Sequence, residues 1–153
     1  KSGPLVDQNS ADLWAFKAAG AKAIVFQGWQ DAVVNPVDTI AYAERVAAAQ
    51  GSQAERDKFY RLFLVPGMGH CSGGAGATTF GNSGGQAPNP NADNDLLMAL
   101  DRWVEQGQAP THIVASRVSA GNVVRTRPLC PHPQTAVHKG AGSTDEAASF
   151  ICQ

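Results

Sequence analysis

No run of lysine or arginine occurs anywhere in the 153 residues, and 12 basic against 13 acidic side chains leave a formal net charge of −1. The electrostatic footprint of a nucleic-acid or acidic-membrane binder is therefore missing. Long apolar runs are missing too. Ala23 to Phe26 and Leu62 to Val65 fall far short of the ~20 residues a bilayer crossing requires. The chain opens "KSGPLVDQNS" with no charged-then-apolar leader, so Lys1 is read as an expression boundary, a processing site or a fragment boundary. There is no internal repeat. What is present is 43% hydrophobic residues, enough for one ordinary core, in a length that predicts a single domain.

Cysteine is scarce and odd in number: Cys71, Cys130 and Cys152. The last two sit in a tail rich in glycine, proline and serine, with little apolar material to hold it. A bond between Cys130 and Cys152 would staple that tail and imply an oxidising compartment. The alternative is three reduced thiols acting as small buried hydrophobes.

The segment "SADLWAFKAAG" reads as a short amphipathic helix, with Ser10 as cap, Leu13, Trp14 and Phe16 on one side and Gly20 as stop. "AKAIVFQG" then reads as a buried strand. "NPVDTIAYAERVAAAQG" is the clearest helix, with Asn35 as cap, Pro36 at its first position and Gly51 closing it. Its expected core face is Val37, Ile40, Ala41, Ala43, Val46 and Ala47. "KFYRLFLVPG" is a second strand, too uniformly apolar to leave one face in water. A third helix is expected in "NADNDLLMALDRWVEQG", with Leu96, Leu97, Leu100, Trp103 and Val104 at helical spacing. This alternation is that of a parallel α/β sheet with crossovers. "THIVASRV" and "NVVRTRPL", split by "SAGN", form a hairpin; the span Ser72 to Asp93 is a long flexible loop; the tail is irregular until "DEAASFICQ".

Ligands of open α/β sheets gather at the carboxyl ends of the strands. After the first strand comes "GWQD" with Asp31, and after the second "PGMGHC" with His70. A carboxylate and an imidazole at neighbouring strand ends suit an imidazole that takes a proton from a nucleophile. Against this stands the ordinary case of a loop histidine that is merely hydrogen-bonded, and of Asp31 as a residue of the turn before a helix. "GNSGG" satisfies the G-x-S-x-G pattern around Ser83, but lies in a Gly/Asn-rich loop with no strand before it or helix after it, so Ser83 is rejected as nucleophile. Ser72 is rejected with it. His70, Cys71, His132 and His138 match no compact zinc spacing. Core packing is expected of Trp14 and Trp103, while Trp29, beside Asp31, is open between packing and substrate contact.

"FYRLFLVPGMGHCSGG", preceded by "GWQDAVVNPVDTIAYAERV" and followed by "LDRWVEQGQAP" and "RTRPLCPHPQTAVHKGAGSTDEAASFIC", resembles the carboxyl-terminal part of the tannase and feruloyl esterase family. The resemblance implies a fold: the carboxyl-terminal part of an α/β-hydrolase sheet, with flanking helices and a disulfide-stapled tail. It implies a serine esterase on phenolic esters, His70 matching the general base and Asp31 the carboxylate that orients it. It also implies that Cys71 bonds a cysteine beside the catalytic serine, and that Cys130 and Cys152 form a second disulfide.

The serine-bearing elbow and a lid domain with a calcium site lie upstream in that family, outside residues 1–153. Gln27 departs from the histidine that relatives often carry before the Gly-Trp pair. The expectation is thus the Asp/His-bearing portion of a secreted or periplasmic phenolic-ester hydrolase. It needs an N-terminal portion for its nucleophile, is inactive alone, holds no cofactor of its own, and has neither nucleic acid nor membrane as partner. The competing expectation is an inert fragment or a non-enzymatic subunit that completes its sheet against another chain.

Overall fold

A computed structural model describes residues 9–153; the reading of the first eight residues lies outside the described residues. Strands β1 (Ala23–Gly28) and β2 (Tyr60–Val65) pair in parallel, Val25 beside Leu62 and Gly28 beside Val65. Between them run helix α2 (Pro36–Ala49) and the one-turn α3 (Gln53–Arg56), after a short α1 (Trp14–Ala18) that precedes the sheet. Helix α4 (Leu96–Gln106) follows β2 across the long loop. The hairpin β3 (Ile113–Ser119) and β4 (Asn122–Leu129) comes next, then a small antiparallel pair, β5 (Ala136–His138) and β6 (Phe150–Cys152).

Local chemistry sets these bounds. The Asn35 side chain accepts from the N–H of Val37, Pro36 occupies the first helical position, and Asp38 lies in the first turn of α2. Asp95 accepts from both Leu97 and Met98 N–H, and Gly107, at φ +70°, ends α4 in the left-handed conformation. Ala120 and Gly121, both at positive φ, make the two-residue hairpin turn. At α1 the expected cap is wrong. Ser10 accepts from Asp12 N–H and Asp12 accepts from Trp14 N–H, so the turn at Asp12 delays the helix to Trp14.

Side chains of β1 and β2 alternate between two clusters, so both faces of the pair are covered. Phe63, Val65, Met68, Phe80, Ile113 and Leu129 form one, with Ile24 and Phe26 against it. Ala43, Val46, Phe59, Tyr60 and Leu62 form the other, with Val25 and Leu64. The helix faces are narrower than their apolar spacing suggests. Val37 on α2 and Leu97 and Val104 on α4 are exposed, and the contacts are made by Ala43, Val46, Ala99 and Trp103. Small residues let these helices lie close to the strands, which leaves flanking large ones outside. Trp14 is also exposed, with the Lys17 ammonium 5.3 Å from its ring centre, because one helical turn buries nothing.

The tail is more regular than its composition suggests. The Cys130–Cys152 disulfide closes it, β5 pairs with β6, and Pro131 and His132 run beside β2, with His132 N–H donating to the Leu62 carbonyl at 2.7 Å. The buried Arg56 ties three parts together, donating to Asp57 and to the carbonyls of Ala43 and His132. No strand among the described residues pairs with the outer edge of β1.

Candidate active site

Because β1 and β2 are parallel and in register, their following loops leave the same edge. Trp29 N–H donates to the Val65 carbonyl at 3.1 Å and Gln30 N–H to the Met68 carbonyl at 2.9 Å, so the two loops are joined through main chain. The approach requires glycine at position 28. A Cβ there would lie 2.2 Å from the Gly69 carbonyl oxygen and 2.4 Å from that of Met68.

The loops bring Asp31 and His70 together, Oδ2 of the carboxylate 2.8 Å from Nδ1 of the imidazole. Oδ1 accepts from Val33 and Val34 N–H at 2.8 and 2.9 Å, and Oδ2 also accepts from the Gln27 amide at 2.9 Å. The carboxylate is 2% exposed and its partner imidazole 49% exposed. Burial alone acts to raise the Asp31 pKa. The bonds from Val34, His70, Val33 and Gln27 outweigh it and hold Asp31 well below the usual carboxylate range. An ionised Asp31 accepts a proton-bearing Nδ1, which leaves the His70 Nε2 lone pair free to act as a base. Nε2 has no partner among the described residues.

Cys71 stands beside this pair as an exposed free thiol, at φ +59°, in a turn closed by Ser72 N–H donating to the His70 carbonyl. A left-handed cysteine is strained. The loop between β2 and α4 supports it from below, with Asn82 Nδ2 and Ser83 Oγ both donating to the Cys71 carbonyl, at 3.0 and 2.8 Å. Ser83 therefore braces the turn rather than heading an elbow. The loop is itself anchored, through buried Ala77, Phe80 and Ala87 and a bridge from Thr79 to Ser116, which corrects the expectation of a flexible span.

Trp29 is half-exposed and walls a cleft of about 470 Å³ with Leu64, Pro66 and His132. His138 packs edge-on against Phe150 in the tail. Spacing gave no sign of Gln27, Thr39 or Asn82 as contributors. In the sequence Gln27 is only a departure from the family pattern, and Asn82 lies inside the GNSGG motif. Among the described residues no three His, Cys, Asp or Glu side chains come together. The calcium that the resemblance implies for an upstream lid domain finds no such donor set among the described residues.

Residues 2–153 match the family described as "Tannase and feruloyl esterase". The chain belongs to that family. It is 44% identical, over 97% of its length, to an uncharacterized esterase of Xanthomonas campestris, of which it covers 28%. It is 43% identical, over 94% of its length, to a mono(2-hydroxyethyl) terephthalate hydrolase of Piscinibacter sakaiensis, covering 21% of that protein. The crystal structure of feruloyl esterase B from Aspergillus oryzae superposes with a TM-score of 0.87 at 29% identity, covering 94% of this chain and 29% of the other. The fold is thus the carboxyl-terminal part of an α/β-hydrolase, and this family member spans under a third of each of these proteins.

Proposed function

We propose that this chain is the carboxyl-terminal portion of a serine-type carboxylic ester hydrolase acting on esters of phenolic acids, exported to an oxidising compartment. The observation that carries the reading is the 2.8 Å bond between Asp31 and His70 at the carboxyl edge of β1 and β2. His70 is the general base: Nε2 takes the proton of a serine hydroxyl as that oxygen attacks the ester carbonyl. Asp31 holds the imidazole in the reactive tautomer and stabilises the imidazolium formed. The same proton passes to the departing alkoxide, leaving an acyl-serine. A water molecule then repeats the sequence, releasing the acid and restoring the serine.

The serine belongs to the portion of the protein that precedes these residues. Among the described residues no hydroxyl bonds His70, and Ser83, the one serine in an elbow-like motif, is committed to the Cys71 carbonyl. Cys71, a free and exposed thiol, bonds a cysteine beside that serine in this reading. The unpaired edge of β1 is where the remaining sheet would join. Three facts support the reading: the family membership, the esterases among the relatives, and the Cys130–Cys152 bond.

The test is Asp31→Asn in the complete protein. The asparagine oxygen can keep Val33 and Val34 N–H, but its amide then points a donor at His70 Nδ1 and at Gln27. The imidazole is driven to the Nε2–H tautomer, which cannot accept the serine proton. Turnover of a chromogenic phenolic ester falls about 10⁴-fold while the circular dichroism is unchanged. A loss under about tenfold would remove Asp31 from the chemistry and with it the pair as the basis of this reading.

A further inference from the structure

We propose that Gln27 is a positioning residue for the Asp31–His70 pair, with Thr39 fixing the Gln27 amide. The inference rests on the esterase reading above. Gln27 is the penultimate residue of β1 and 9% exposed. Its Nε2 lies 2.9 Å from Asp31 Oδ2, and 3.4 Å from each of the Gly28 and Val34 carbonyl oxygens. Its Oε1 accepts from the Thr39 hydroxyl at 3.1 Å.

This environment leaves one orientation for the amide. On the strand side stand three acceptors: a carboxylate and two carbonyls. Turning Oε1 toward them would set four oxygens against one another with no hydrogen between them. The NH2 therefore faces Asp31, and the hydroxyl of Thr39, on the first turn of α2, is the donor that holds Oε1 on the other side. Gln27 thus spans β1, α2 and the Asp31 loop.

Its consequence for the pair follows from counting acceptor sites. Oδ1 takes two backbone N–H groups, and Oδ2 takes His70 and Gln27, so all four in-plane positions of the carboxylate are used. Neither oxygen can swing toward another partner, and Oδ2 stays pointed at Nδ1. A bond from a neutral donor to the same oxygen also spreads its charge, so the carboxylate orients the imidazole without over-stabilising the imidazolium. Asp31 and His70 are the titratable groups bonded to this network.

Two variants of the complete protein test the assignment, assayed on a chromogenic phenolic ester across pH, with His70→Ala alongside. Gln27→Leu keeps the bulk and removes both the donor and the acceptor. Turnover falls about tenfold, the value of one bond to a charged group, with KM nearly unchanged. The acid limb of its rate profile moves to higher pH, because Oδ2 stripped of one donor holds a protonated imidazole more tightly. Gln27→Glu has the same shape. Its protonated form donates to Asp31 as the amide does and retains activity. Its ionised form sets two carboxylates about 3 Å apart, so the profile acquires a new falling limb on the alkaline side.

A residue that only packs would lower melting temperature without moving either limb. Rate profiles of both variants that superpose on the parent's, while His70→Ala is inactive, overturn the role of Gln27 alone. Activity that survives His70→Ala overturns the esterase reading and this inference with it.

Discussion

Replacing Phe80 with alanine asks whether the long loop between β2 and α4 is a structural support of the site or a bystander. The ring is fully buried, meets Phe26 edge-on with ring centres 5.3 Å apart, and packs among Phe63, Met68 and Ile113. A buried aromatic ring removes about 200 Å² from water, which at about 25 cal/mol per Å² contributes about 5 kcal/mol. Alanine keeps a small part of that area, and the cavity and the lost ring contact act in the other direction. The expected destabilisation is about 4 kcal/mol, with Phe80→Leu costing well under half as much. Urea unfolding of the purified variants measures both. Phe80 lies two residues from Asn82, whose amide reaches the Cys71 carbonyl, so the loss has a local signature as well. Amide hydrogen exchange at Thr79, Ser116 and Ser72 should accelerate more than exchange in α2. A destabilisation below about 1 kcal/mol, with loop amides as protected as before, would refute the account of a core-anchored brace.

The disulfide and acid stability offer two further checks. Cys130 and Cys152 are 22 residues apart, so replacing both with serine should cost roughly 3 kcal/mol on the loop-entropy estimate, and thermal unfolding with and without reductant should show it in the parent alone. His132 has its pKa held below 6.5, first by burial and then by the Arg56 guanidinium. The unfolded histidine binds a proton at 6.5 and the folded one only at lower pH, so its contribution is complete above 6.5 and is lost as pH falls through the depressed value. His132→Gln should flatten the dependence of unfolding free energy on pH just below 6.5; an unchanged slope would exclude His132 as its source. Asp31 acts in the same direction lower down, its contribution complete above 3.8 and fading as pH falls from there.

The β-α-β unit that carries the pair was legible because its signals are local. Asn35 and Pro36 mark a helix start, and the apolar runs Ala23 to Phe26 and Leu62 to Val65 mark buried parallel strands. From parallel strands alone it follows that Asp31 and His70 leave the same edge. Burial on the helices was less legible, since apolar spacing names a stripe but not its width; Val37 and Leu97 belong to the stripe and stay in water because alanines make the close contacts. The tail's β5–β6 pair and the anchoring of the long loop depend on contacts far apart in sequence, such as Thr79 with Ser116, for which glycine- and serine-rich stretches give no pattern. Gln27 illustrates a third limit: a lone polar residue inside a strand reads as a defect until its partners four and twelve positions onward are seen folded back upon it.

The main-chain bonds that tie Trp29 to Val65 and Gln30 to Met68 separate two properties of the molecule. Peptide groups carry no side-chain identity, so the spacing of Asp31 and His70 is insulated from most changes at Trp29 and Pro66, which can reshape the neighbouring cleft while the pair keeps its registration. On the proposed function, a scaffold wired in this way lets the preferred ester drift across a lineage without the chemistry having to be rebuilt, with Gly28 as the position least free to change.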